Sequence, residues 1–99
     1  MKEFITNVQN WATERGIYEH STSTAQLLKA ISEIGELADA HAKNNRDEVI
    51  DAIGDVLVCL VNYCAIETLD LKECCESAWL EIKDRKGKMI KGGVFVKED

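Results

Sequence analysis

The stretch Val49-Ile50-Asp51-Ala52-Ile53-Gly54-Asp55-Val56-Leu57-Val58-Cys59-Leu60-Val61-Asn62-Tyr63-Cys64-Ala65-Ile66 decides how this chain is read. Nearly every position is apolar, the exceptions being Asp51, Asp55, Asn62 and, by size, Gly54. The chain contains no proline, so nothing interrupts a helix here, and a helix this apolar is expected to be buried around most of its circumference. Asp51, Asp55 and Asn62 follow one another by four and then seven residues, with Glu48 on the same line, which stacks them on one side. Carboxylates on a buried helix are costly unless they are paired or bound to a cation.

The segment before it carries a matching stripe. A helix is expected from the Ser21–Ser23 capping cluster to about Lys43. Within it Gln26, Lys29, Glu33 and Glu36 succeed one another by three, four and three residues, while Leu27, Ile31, Ile34 and Ala38 occupy the opposite side. Asn44-Asn45 reads as a short turn, so the two helices should lie antiparallel and adjacent. Glu33 and Glu36 then face Asp51 and Asp55.

Four carboxylates converging between two helices repel one another, and a hard divalent cation is the natural compensation. Magnesium takes oxygen ligands and commonly bridges carboxylates to substrate phosphates. It also acidifies bound water, and a carboxylate not committed to the metal can accept the proton. Acidic residues at helical spacing are common on solvated faces. The facing of the two pairs, one of them in apolar surroundings, tips the reading toward a metal site.

The rest of the chain fits around these helices. A first helix is expected over about Lys2 to Arg15, with Phe4, Ile5, Val8, Trp11 and Ala12 at helical spacing and Gly16 ending it. Tyr18 to Thr22 reads as a loop. A fourth helix should start at Asp70 and run to about Lys86, stopped by Gly87. The tail from 87 to 99 holds Gly92-Gly93 and Val94-Phe95-Val96, suited to a short strand or to an arm over a neighbouring subunit. The expectation is one all-α domain over residues 1–99, of four-helix-bundle type, with a short extended tail. With 99 residues it is too small to cover its central helix alone, so a homodimer or homotetramer should complete it.

The formal net charge is −6, which argues against a nucleic-acid polymer as partner. Six of the twelve lysines and arginines fall between Lys83 and Lys97. Lys83, Arg85 and Lys86, together with Lys29, are candidates to hold phosphates, and Asn62 could hydrogen-bond a base or sugar. The four cysteines form no C-x-x-C pair, which suits buried thiols in a reducing, cytoplasmic setting. The N-terminus lacks signal-peptide features. The run Val56 to Ile66, broken by Asn62, is short for a bilayer span, so no membrane role is expected.

Gln26-Leu27-Leu28-Lys29, Ser32-Glu33-Ile34-Gly35-Glu36-Leu37 and Asp51-Ala52-Ile53-Gly54-Asp55-Val56-Leu57 resemble the MazG-type nucleotide pyrophosphohydrolases, in particular the short single-domain forms of phages and bacteria. The resemblance extends into Lys83-Asp84-Arg85-Lys86-Gly87-Lys88-Met89 and Gly93-Val94-Phe95-Val96. It implies an all-helical oligomer that splits a nucleoside triphosphate into monophosphate and pyrophosphate. It also implies that Glu33, Glu36 and Asp55 hold magnesium, with manganese as a substitute, and that Glu33 and Glu36 are catalytic. Two positions depart from the family's E-E-x-x-E and E-x-x-D motifs: Ser32 replaces the first glutamate, and Ala52 replaces the glutamate of the second motif. Asp51, one residue earlier, is the candidate to supply the missing ligand. A helical module that binds nucleotides or a protein partner with weakened catalysis is the alternative.

Overall fold

The computed structural model describes residues 1–98. Its elements are α1 (Lys2–Glu14), α2 (Ile17–His20), α3 (Ser23–Ala42), α4 (Arg46–Ile66), α5 (Leu71–Ile82), β1 (Gly87–Ile90) and β2 (Val94–Lys97). Short polar side chains start the three later long helices. Thr22 Oγ1 accepts from the Ala25 amide at 3.1 Å, Asn45 Oδ1 from Glu48 at 3.2 Å, and Asp70 Oδ1 from Lys72 at 2.9 Å, each satisfying an amide that the first turn leaves without a partner.

The turn between α3 and α4 divides its work between two asparagines. Asn44 takes the left-handed conformation, with φ 56°, which lets the Asn45 amide return to the Ala40 carbonyl at 2.9 Å and close α3. Asn45 then caps α4. The result is a tight antiparallel pair, α3 against α4, which is the main packing contact of the fold. Its seam is made of small side chains: Ala30 and Ala40 of α3 and Ala52 and Cys59 of α4 are all buried. Helix α1 crosses α4 and contributes Val8 and Ala12 to the same core.

Several expectations are corrected here. Within Tyr18 to Thr22, expected as loop, residues 18–20 belong with Ile17 to one helical turn, because Gly16 at φ 72° breaks α1 and the helix restarts after it. From this turn Tyr18 donates its hydroxyl to Asn62 Oδ1 on α4 at 2.8 Å. Helix α5 ends at Ile82 rather than near Lys86. The competing structure is a hairpin: the Glu98 amide donates to the Lys86 carbonyl at 2.7 Å, and β1 pairs with β2 antiparallel from Gly87↔Lys97 to Ile90↔Val94. Gly92 and Gly93, at φ 96° and 80°, make the turn. The chain is therefore mostly helical with a small two-stranded sheet, not purely α.

Helix α4 is also less covered than its composition suggests. Only Ala52, Cys59, Val61, Asn62 and Cys64 are buried along it, while Ile50 is 61% exposed and Ile31 on α3 is 66% exposed. The physical reason is scarcity of chain: α5 has no buried residue and approaches α4 near Cys64, beyond the exposed stretch. One chain does not close a four-helix bundle. By length and composition α4 could cross a membrane, because the helix extends well before the apolar run Val56 to Ile66, back through Asp55, Gly54 and Asp51 to Arg46. Here it packs lengthwise on α3 instead.

Candidate active site

The antiparallel pairing of α3 and α4 brings their acidic stripes together. Glu36, Asp39 and Lys43 of α3 and Glu48, Asp51, Ala52 and Asp55 of α4 line one open cleft of about 350 Å³. Ala52 is buried at its floor and Asp51 exposed at its rim. Asp39, Lys43 and Glu48 are absent from the set of ligands expected from sequence. Their signal was legible, since each continues the three- and four-residue spacing of its stripe.

Glu33 does not itself line this cleft but lies behind it, beside Glu36 and Asp55, which do, and it is only 8% exposed. Its Oε1 accepts from Lys29 Nζ at 3.5 Å, a long contact. Its Oε2 is fully covered and has no hydrogen-bond partner. A covered carboxylate oxygen without a donor is among the more expensive features a fold can carry. The amine that compensates it lies largely in solvent, with the Lys29 side chain 64% exposed against 11% for Glu33.

The neighbouring acids register the crowding. The Glu36 pKa is raised, first by its hydrogen-bonding proximity to Glu33 and then by that residue's charge; burial and Asp55 push the same way, while Lys29 pulls it down. Asp55 is raised by burial first, then by Asp51 and Glu33, with Lys29 again opposing. Glu33, Glu36, Asp51 and Asp55 thus form one electrostatic group, and Lys29 is the cation that opposes the rise at both Glu36 and Asp55.

The structure leaves other expected residues elsewhere. Asn62 is 3% exposed, its Oδ1 engaged by Tyr18. It stands on the same line as Asp55 but two turns further along α4, about 10 Å at the helical rise, inside the fold rather than at the cleft. Arg85 and Lys86 line a separate hollow with Glu81, Asp84 and Glu98, where Arg85 Nη2 meets Glu81 Oε1 at 3.2 Å. Lys83 closes α5 beside them. Within one chain these cations do not line the acidic cleft. A larger hollow between α1, α4 and α5, lined by Ile5, Val61, Cys64 and Leu71, contains none of the cleft's carboxylates.

A divalent cation suits this cleft by donor chemistry. The available atoms are hard carboxylate oxygens, with the covered, unpartnered Glu33 Oε2 just behind them. Two of the acids have raised proton affinity, Glu36 chiefly through hydrogen bonding with Glu33 and Asp55 chiefly through burial, each with a further push from neighbouring acids. Among the described residues no group of three or more acidic, histidine or cysteine side chains is already gathered to metal-holding geometry. The carboxylates are neighbours across an open cleft and would have to draw inward around an ion.

Residues 21–90 match the family profile described as the MazG nucleotide pyrophosphohydrolase domain, a span that includes both helices of the cleft. Over 61 residues the chain is 39% identical to an uncharacterized 18.2 kDa protein from the rep–hol intergenic region of Haemophilus phage HP1 (strain HP1c1). That alignment covers 62% of this chain and 37% of the phage protein, so the similarity spans well under half of that relative. No solved structure matches the chain.

Proposed function

The chain belongs to the MazG nucleotide pyrophosphohydrolase family, and from that premise we propose that it hydrolyses a nucleoside triphosphate, ribo or deoxy, to the monophosphate and pyrophosphate in a magnesium-dependent reaction. The observation that carries this reading is the orphaned carboxylate oxygen of Glu33 beside a cleft of crowded acids, inside the segment that matches the family. Glu33, Glu36, Asp51 and Asp55 would hold magnesium, or manganese in its place. When bound, the ion supplies charge neutralisation for the phosphates and acidifies water.

The side chains have separable tasks. Glu33 and Asp55 are partly or wholly withdrawn from solvent and fix the inner edge of the cleft. Glu36, exposed and with raised proton affinity, is placed to accept a proton from the attacking water. Water adds to the α-phosphorus, the bond to the bridging oxygen breaks, and pyrophosphate leaves with that oxygen. Lys29 is close enough to share the phosphate charge.

Lys83, Arg85 and Lys86 enter this scheme only if a second copy supplies them, and a homodimer or homotetramer is part of the proposal. Exposed Leu28, Ile31 and Ile34 on α3 and Ile50 and Ile53 on α4 support it, as does the charge complement between an acidic cleft and a basic chain end. Nucleotide pools make the cytoplasm the fitting compartment, with neither a membrane nor a nucleic-acid polymer as partner.

A second reading is favoured by Ala52. The buried floor position lacks a carboxylate, which suits a nucleotide-binding or protein-interaction module with weakened catalysis. Pyrophosphate release from canonical and modified nucleoside triphosphates, measured with magnesium and with chelator, separates the two. Metal-dependent release with the matching monophosphate is expected. Silence across the whole panel would leave the binding module.

A further inference from the structure

Lys29 is the one basic group paired with the buried carboxylate, and it is paired poorly. Its Nζ reaches only Glu33 Oε1, at 3.5 Å, while Oε2 stays bare. The lysine side chain lies mostly in solvent, so the pair is screened by water and holding it costs rotamer freedom. Its field is felt by Glu36, Asp55 and, further along α4, Cys59, which places the ammonium over the inner end of the seam. Among the described residues its one side-chain partner is Glu33.

We infer that Lys29 is a placeholder cation: in the metal-free protein its ammonium partly neutralises Glu33, and a divalent ion must displace it to use that carboxylate. This rests on the metal-dependent reading above and adds to it a built-in competitor that sets how tightly the ion is held. A monovalent amine on a flexible stem covers one oxygen of one acid. A divalent ion carries twice the charge and could draw on Glu36, Asp51 and Asp55 as well as Glu33, so it would win the exchange without needing the lysine to be absent. The displaced ammonium remains beside the cleft, carried by the same helical turn as Glu33, where it meets an incoming phosphate. One side chain thereby opposes the metal before substrate arrives and favours the substrate afterwards.

This predicts opposite signs for two affinities. Lys29→Met keeps the aliphatic stem and removes the charge. Titration of the full chain with Mg2+ by calorimetry, and with Mn2+ by the resonance signal of the free ion, should show tighter binding by about two- to five-fold, the range expected for losing a partly exposed ion pair. Binding of a non-hydrolysable triphosphate analogue in saturating Mg2+ should weaken. Lys29→Arg, which keeps the charge, should bind Mg2+ as the unchanged protein does.

Thermal melts give a second readout. The metal-free Lys29→Met protein should melt lower than the parent, and saturating Mg2+ should close the gap, because ligand linkage returns what the missing ammonium withheld. Lys29→Gln serves as the alternative neutral variant if the methionine variant does not fold. Equal or weaker Mg2+ binding in the neutral variants, with the parent binding normally, would overturn the placeholder role and leave the metal site standing. No Mg2+ or Mn2+ binding by the parent would remove the metal site and the inference together.

Discussion

Glu36 stands in solvent, yet holds its proton more tightly than an isolated glutamate, because it is within hydrogen-bonding reach of Glu33 and close to other acids. Asp55 is shifted the same way by burial and by Asp51. A carboxyl whose pKa is higher folded than unfolded makes the folded state the better proton acceptor. Its contribution to stability is therefore greatest below the unfolded carboxylate pKa and is lost as pH rises through the raised folded value. Metal-free protein should accordingly melt higher in mild acid than at neutral pH, and saturating magnesium should flatten that slope. Glu36→Gln should show a shallower slope, no loss of thermal stability, and hydrolysis lowered by at least about a hundred-fold, the scale of a lost acid–base group. Near-normal turnover in that variant would rule out the assigned role. Position 52 tests the ligand set from the other side. Its Cβ already lies at the buried floor of the cleft, so Ala52→Glu should tighten Mg2+ binding and raise the rate. Unchanged affinity and rate would show that Asp51, at the rim, already does the work.

At the level of elements, the helices announced themselves through their ends and their faces. Thr22, Asn45 and Asp70 make the capping bonds that their residue types suggest. The acidic stripes of α3 and α4 face each other because a short asparagine turn leaves no other arrangement. What could not be read from local pattern was decided by partners remote in sequence. The pairing of Tyr18 with Asn62, 44 residues away, withdrew Asn62 from the site, and nothing in the Asn62 neighbourhood signals it. The end of α5 was set by β1 pairing with β2 rather than by helix propensity, which Lys83 to Lys86 possess in good measure. The exposed apolar faces of α3 and α4 carry their own prediction. Ile31→Lys combined with Ile53→Lys, at positions 66% and 48% exposed, should cost a single chain little and shift the protein from oligomer to monomer in sedimentation. A parent protein that sediments as a monomer at all concentrations would contradict the shared-bundle reading.

For the whole molecule, the division between what the chain does alone and what it leaves open follows from its size. The α3–α4 pair, braced by α1, forms a seam of alanines and a cysteine, and that seam suffices to set the acidic cleft. Helix α5 and the hairpin extend from it with no buried residue of their own, giving extents of 46 × 35 × 25 Å. Fold class and the facing carboxylates were legible because both depend on nearest-neighbour helices. The placement of the basic end was not, because within one chain it has no counterpart on the site.

The asparagine turn has a kinetic consequence. The opposed acids are joined by only the short stretch Lys43 to Asn45, so they meet as soon as the first hairpin of helices closes, among the most local contacts the chain can make and hence among the fastest. Where that hairpin belongs to the folding nucleus, charge repulsion opposes its closure. Neutralising it would speed collapse more than it slows unfolding, and a divalent ion present during synthesis would act as a nucleation aid as well as a reactant's companion.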